Sequence, residues 1–273
     1  KEVKMILTPL RWPGGKTRFV KYLDENLPEN FENIKEIREP FVGGGSVFLY
    51  LKSLYPDKKY WINDLYYNLY CFWSILQKNG NELIENIMKI RIDNDSPEKM
   101  RNIFIKEKND INNYNSEFDR AVAFFILNKC SFSGLTETGT FAPQASKQNF
   151  SKKAIERLRN VCNLIQNVII TNLDYNELLL NNDKNIFIYL DPPYKIQNKL
   201  YGKNGAIHKQ FNHDLFLYNI KKCNNKFMIS YNSSGELKNK YSNFNIKDIK
   251  FSYAMSRVGN KIINKNEMII CNY

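Results

Sequence analysis

The sequence predicts an α/β fold in which one sheet carries an inserted helical subdomain. Three observations support this. Apolar runs of strand length alternate with helix-period segments at both ends of the chain. A charged, helix-period block lies between them. Three of the strand-like runs end in an aspartate, the pattern of strands that deliver side chains to one edge of a sheet. The 273 residues suit one large domain or a domain with a sizeable insertion, since single cores rarely grow beyond roughly 250–300 residues.

Taken in order, residues 34–42 (IKEIREPFV) read as a short strand running into Gly43-Gly44-Gly45. Residues 46–56 have helical apolar spacing and are stopped by Pro56. Residues 59–64 (KYWIND) form a second strand, and 65–79 a strongly apolar helix. From about 80 to 165 the chain is helical and charged, with NELIENIMKIRI and FDRAVAFFILNKC as helix-period runs. Within that block, 131–150 (SFSGLTETGTFAPQASKQNF) is polar and small and reads as an ordered loop. One helix follows, SKKAIERLRNVCNLI, N-capped by Ser151. Strands return at 167–175, 185–194 and 225–232, and a closing antiparallel pair is expected at 244–254 and 267–273. The expected division is therefore 1–79 with 166–273 as one domain, and 80–165 as the insert.

Lys and Arg number 40 against 28 Asp and Glu, a formal net charge of +12. That excess serves solubility, or it fits a polyanionic partner, because each phosphate neutralised releases a counterion. No apolar run approaches the ~20 residues of a membrane span, and the first residues lack a secretory h-region. A membrane, exported or disordered protein is thus not expected, and a cytoplasmic one is. Five cysteines without a CxxC and only two histidines argue against a structural zinc site and for free thiols. No metal is expected. Neither His208 nor His213 lies in a motif, and both read as surface residues.

Three constellations carry chemistry. In Glu39-Pro40-Phe41-Val42-Gly43-Gly44-Gly45-Ser46, glycines directly after a strand allow a tight turn and close approach of a ligand. The run is neither GxGxxG nor a GxxxxGK[ST] phosphate loop. Asp64, at the end of the next strand, suits the two hydroxyls of a ribose, or it simply caps the following helix. In Asp191-Pro192-Pro193-Tyr194 the prolines remove two backbone donors. The segment then presents acceptors, the Asp191 carboxylate and the Pro192 carbonyl, beside the Tyr194 ring. That set suits the exocyclic amino group of a flat base. Arg11-Trp12-Pro13-Gly14-Gly15-Lys16 places an indole and an ammonium near the start of the chain.

With these motifs the chain resembles the Dam-type, D12-class DNA adenine-N6 methyltransferases. RWPGGK resembles the family's motif X, EPFVGGGSVFL its motif I, and NDLYYNLY its ribose-binding motif. TNLDY resembles the short Asp motif, DPPY the catalytic motif IV, and ISYNSSGEL and NEMIICNY the C-terminal pattern. The order is that of the α group. The resemblance covers nearly the whole chain and is weakest between about 80 and 165.

The resemblance implies a Rossmann-like methyltransferase sheet with a helical target-recognition insert, S-adenosylmethionine as cofactor, and double-stranded DNA as partner. A cognate restriction endonuclease is a possible second partner, in a bacterial or phage-encoded setting. It implies Asp191, Pro192 and Tyr194 as catalytic residues acting on a flipped-out adenine. It implies Trp12, Lys16, Glu39, Phe41, Gly43, Asp64, Asp174 and Asp191 around the cofactor, with Tyr175 beside Asp174. For DNA it points to Ser131, Ser133 and Thr136 in the insert loop, to Lys195 with Lys199, Lys203 and Lys209 in 195–210, which reads equally as a clamp on DNA or as a charge-rich surface loop, and to Arg257 and Lys261. GATC-modifying members carry a run resembling F-N-V-P-[YF]-G after the helical block. This chain has FSGLTETGTFAPQASKQNF there, so a different short site is expected.

Overall fold

The computed structural model of the chain describes residues 5–12, 16, 19–181, 183–194, 211–258 and 261–273, and between 250 and 266 the backbone alone. Seven strands form one sheet in the order β3-β2-β1-β4-β5-β7-β6. They are β1 (Glu36–Glu39), β2 (Lys59–Asn63), β3 (Val168–Thr171), β4 (Ile186–Leu190), β5 (Lys226–Asn232), β6 (Asn245–Val258) and β7 (Lys261–Cys271). Strands β1 to β5 pair in parallel, and β7 runs antiparallel to both β5 and β6. Every residue of β4 is buried, as a central parallel strand covered on both faces requires. The chain winds outward through β1, β2 and β3, then returns to place β4 beside β1. At such a reversal the loops beyond the strands' carboxyl ends part and leave a crevice. Glu39 ends β1 and Asp191 follows β4, so both lie at this opening.

Among the described residues the α-helices are α1 (Val20–Leu23), α2 (Ser46–Leu54), α3 (Tyr67–Lys78), α4 (Gly80–Asp93), α5 (Pro97–Asp110), α6 (Glu117–Cys130), α7 (Pro143–Gln148), α8 (Lys152–Glu156), α9 (Leu158–Leu164), α10 (His213–Lys222) and α11 (Gly235–Lys240). Every residue from Ala121 to Cys130 of α6 is buried. A helix apolar on all sides must be covered on all sides, and α3, α4 and α5 pack around it. Phe72 of α3 stacks on Phe125 of α6 with ring planes 10° apart. One apolar cluster runs from the sheet (Ile37, Tyr60, Phe187) through α3 and α6 to Phe150 and Leu158. The helical block and the sheet therefore share a core. A second cluster, with Ile188, Phe216, Phe227 and Ile270, covers the opposite face.

Three local expectations change. The 131–150 stretch is not loop throughout: it ends in α7, whose proline stands in the first turn where its missing N–H costs nothing. The helix expected after Ser151 is divided at Arg157 into α8 and α9, although Ser151 does cap it, accepting from the Ala154 amide at 3.3 Å. The closing pair is longer than expected, because β6 runs on to Val258 and the mostly polar stretch Lys261–Glu267, with only Ile262 and Ile263 apolar, extends β7.

Candidate active site

The turn after β1 holds Gly43 at φ 48° and Gly45 at φ 73°, conformations that favour glycine. Trp12 packs on the turn so closely that a Cβ at Gly43 would sit 2.6 Å from its indole nitrogen. The Trp73 indole donates to the Gly43 carbonyl at 3.1 Å. From β2, Asp64 accepts the Gly43 amide on Oδ2 at 2.9 Å and the Tyr66 amide on Oδ1 at 3.0 Å. The carboxylate thus fastens the glycine turn to the start of α3 while lying beside that turn. Burial pushes the Asp64 carboxyl up to about 6, against the pull of amide donors from Tyr66, Gly43 and Leu65.

Asn63, which the sequence reading passed over, is buried and ties three strand ends together. Its amide donates to the carbonyls of Pro40 (3.1 Å) and Leu173 (2.9 Å), and its Oδ1 accepts from the Leu173 amide and the Thr171 hydroxyl. The only signal for it was a polar residue closing an apolar strand.

Across the opening, Asp191 gathers donors on a single oxygen. The Lys16 ammonium lies 3.2 Å from Oδ1, the Tyr194 hydroxyl donates to it at 3.0 Å, and the Ser230 hydroxyl donates at 2.9 Å. Among the described residues nothing bonds Oδ2. Lys16 also donates to the Tyr194 hydroxyl, lies 4.8 Å from that ring's centre, and pairs with Glu267 of β7 at 3.4 Å. Burial opposes the Lys16 charge, but Asp191 and Glu267 outweigh it and raise its pKa. Glu39, buried beside them, is held well above the ordinary carboxylate range by burial and then by the Asp191 charge, which favours its protonated form. The structure thus brings Lys16, Glu39, Asp191 and Tyr194 together as expected, and adds Ser230 and Glu267, which sequence reasoning missed.

Phe41 and Tyr175 stack with centroids 5.4 Å apart, and Phe211 and Phe216 close on the same pair. Asp174 is exposed, and its carboxylate accepts its own turn's Asn176 amide at 2.9 Å. His213 is not a plain surface residue: it is part-buried, packs on Phe211, and its Nδ1 lies 3.1 Å from the Tyr231 hydroxyl.

The residues suggested for DNA contact are not equivalent. Ser131 is fully buried, and its hydroxyl accepts the Thr136 amide at 3.2 Å. Thr136 is also buried, at φ 50°. Both are spent on the loop's own frame, because a folded polar loop must satisfy its own backbone groups. This corrects the view of them as base readers, while the expectation of a site other than GATC, which rests on the loop's differing run of residues, stays untouched. Ser133 is exposed at φ 52°, next to Phe132, which is 65% exposed. The loop is anchored at Glu137, which accepts from the Tyr66 hydroxyl and from the side-chain amides of Asn68 (2.5 Å) and Asn112 (3.1 Å). Its other anchor is Asn128 of α6, which donates to the Gly134 carbonyl at 3.4 Å and also exchanges two hydrogen bonds with the Arg11 backbone. Lys195 and the rest of the 195–210 clamp lie outside the described residues, as do Pro13, Gly14 and Gly15. Arg257 and Lys261 sit on paired backbone at the facing ends of β6 and β7, with side chains outside the described residues. Among the described residues no three metal-ligating side chains cluster, and no helix is long and apolar enough to cross a membrane.

A parallel sheet with the β1–β4 reversal, closed by an antiparallel β7 and carrying acids at its strand ends, is the Rossmann-like methyltransferase fold. The family model for D12 class N6 adenine-specific DNA methyltransferases matches residues 12–255, and the chain belongs to that family of adenine-specific DNA methyltransferases. It is 32% identical to Type II methyltransferase M.MjaIII of Methanocaldococcus jannaschii, over 97% of this chain and 98% of that protein. It is 23% identical to Type II methyltransferase M1.LlaDCHI of Lactococcus lactis subsp. cremoris, over 99% and 97% of the two chains. With a DNA adenine methylase of Vibrio cholerae serotype O1 it shares 26% identity, over 68% of this chain and 64% of that one.

Proposed function

We propose that the chain methylates N6 of an adenine swung out of a short duplex DNA site, with S-adenosylmethionine as methyl donor. The observation that carries this reading is the state of Asp191: three donors converge on Oδ1, and among the described residues none bonds Oδ2. The residues at the opening fit the cofactor. Asp64 offers acceptors for ribose hydroxyls, Phe41 and Tyr175 an aromatic wall, Gly43 and Trp12 a close-packed turn, and Asp174 an acceptor for the adenine amine. Asp191 and Glu267 face the Lys16 ammonium, and Asp64 adds a further carboxylate, a balance that suits a cationic ligand. When bound, the cofactor supplies an electrophilic methyl on a positively charged sulfur.

The protein's part is to position the nucleophile. The amino nitrogen of adenine is a poor nucleophile because its lone pair is drawn into the ring. Asp191 Oδ2 and the Pro192 carbonyl accept its two hydrogens, which favours a pyramidal nitrogen and frees the lone pair. Tyr194 presents its ring to the extrahelical base, offsetting part of the few kcal/mol that flipping costs. Positioning and fixed charge supply most of the rate, and the proton leaves to solvent after transfer.

Residues 80–165 serve as the target-recognition part of the molecule, with 1–79 and 166–273 as its catalytic part. The exposed Phe132 and Ser133 and the basic residues Lys195, Arg257 and Lys261 meet the duplex. The protein works in the cytoplasm, where that DNA lies. The Type II names of two relatives support a restriction endonuclease as companion. The test is transfer of a tritiated methyl group to duplex oligonucleotides with and without adenine at candidate sites. Label only in adenine-containing duplexes supports the reading, and label in none contradicts it.

A further inference from the structure

We infer that Ser230, backed by Tyr189, is a positioning residue that fixes the Asp191 carboxylate with Oδ2 turned toward the substrate amine. The inference rests on the methyltransferase reading above and deepens it.

Tyr189 and Asp191 are two residues apart and so lie on one face of the strand line, as alternate residues do. The pairing of β4 with β5 sets Leu190 against Ile229, so Ser230 is carried level with Asp191. Ser230 is fully buried and Tyr189 nearly so. A hydroxyl has one hydrogen. Ser230 gives its hydrogen to Asp191 Oδ1 at 2.9 Å, so its 2.9 Å contact with the Tyr189 hydroxyl is filled by the hydrogen of Tyr189. The chain of donors runs one way: Tyr189 to Ser230 to Asp191.

The other two donors on Oδ1 come from outside the sheet. Tyr194 follows the two prolines, and Lys16 belongs to the segment before α1. Both border the space where base and cofactor would enter. Ser230 alone reaches Asp191 from within the paired strands, so it holds the carboxylate's rotation whatever the other two do. A full half-turn would only exchange two equivalent oxygens, but a carboxylate free to turn spends its time at intermediate rotations in which neither oxygen is aimed at the amine. Geometry errors of that kind reduce turnover more than binding.

The experiment compares wild type, Ser230→Ala, Ser230→Thr and Tyr189→Phe by steady-state methyl transfer to duplex DNA and by calorimetric titration of S-adenosylmethionine. Ser230→Ala should lower kcat about ten- to hundredfold, the range of one hydrogen bond to a charged group, with KM for DNA and cofactor affinity changed less than about twofold. Ser230→Thr should restore most of kcat, and Tyr189→Phe should lower it in the same direction by a smaller factor. Wild-type kcat in Ser230→Ala, or a loss that Ser230→Thr does not rescue, overturns the inference. If Ser230→Ala does not fold, Tyr189→Phe decides: an unchanged kcat overturns the inference and a lowered one supports it. A wild-type protein that never labels adenine in duplex DNA overturns the functional reading itself. Active wild type with a silent Ser230→Ala overturns this inference alone.

Discussion

The Gly43 amide donates to Asp64 Oδ2 over 2.9 Å, so the turn that follows β1 and the acid that ends β2 form one unit. Asp64 is both the fastener of the glycine turn and a carboxylate beside the opening of the sheet. The two readings of it, helix cap and ribose acceptor, do not compete.

On the ribose role proposed for Asp64, cofactor affinity depends on the charge of its carboxylate. Its carboxyl is pushed up to about 6, so a fall in pH through that value protonates it and removes an acceptor for the ribose. Calorimetry without DNA should show S-adenosylmethionine binding weakening between about pH 7.5 and pH 5. Asp64→Asn should bind more weakly by about 1–3 kcal/mol, with a flattened pH profile. Equal affinity in wild type and variant would leave Asp64 with its fastening role alone.

Tyr194 separates stacking from hydroxyl chemistry. Its ring is the one proposed to meet the base, while its hydroxyl links Lys16 to Asp191. Tyr194→Ala should cost about 1–3 kcal/mol in holding the extrahelical base, read as lost fluorescence response of 2-aminopurine at the target. Tyr194→Phe should keep that response and lose part of kcat. Matching losses in both variants would assign the whole effect to the hydroxyl.

Glu137 accepts from Tyr66, Asn68 and Asn112, and these bonds dock the 131–142 loop on the start of α3 and on the turn after α5. Glu137→Ala leaves those donors without their acceptor. Denaturant melts should show a loss of about 1–3 kcal/mol, and hydrogen exchange should rise in the loop while the sheet stays protected. Unchanged exchange there would mean that the Asn128–Gly134 bond and the Ser131–Phe141 bridge hold the loop unaided.

Within that loop, exposure assigns different tasks to neighbouring serines. Ser133→Ala should change which short sites are methylated while leaving thermal stability intact. Ser131→Ala should lower stability and leave the preferred site unchanged, because the side chain is internal. Methylation maps for the two variants, set beside their melting temperatures, check the assignment.

The strand ends before Asp64 and Asp191 were readable in the sequence because each apolar run stops at an acid, whereas Asp174 lies beyond β3, which ends at Thr171. The glycine turn was readable for the same reason. The partners of Asp191 were not. Ser230 and Glu267 lie inside runs that look like ordinary buried strand, and only the pairing of β5 with β4 and β7 carries them to the site. The contact of Lys16 with Glu267 joins the two ends of the chain, which no local pattern encodes. The loop misled in the opposite sense. Ser131 and Thr136 are polar, so they read as surface, but a tight loop with three residues at positive φ needs polar side chains to satisfy its own backbone. Helix α6 was legible as a helix, but its burial on every side was visible only once α3, α4 and α5 closed around it.

The central claim is that Asp191, fixed at Oδ1 and open at Oδ2, directs methyl transfer to adenine N6. The most direct test expresses wild type and Asp191→Ala in cells lacking adenine methylation and maps N6-methyladenine across the genomic DNA. The account predicts N6-methyladenine at one defined short sequence with wild type and none with Asp191→Ala. Methylation by the variant at near-wild-type levels, or a wild type that leaves every adenine unmodified, would contradict it.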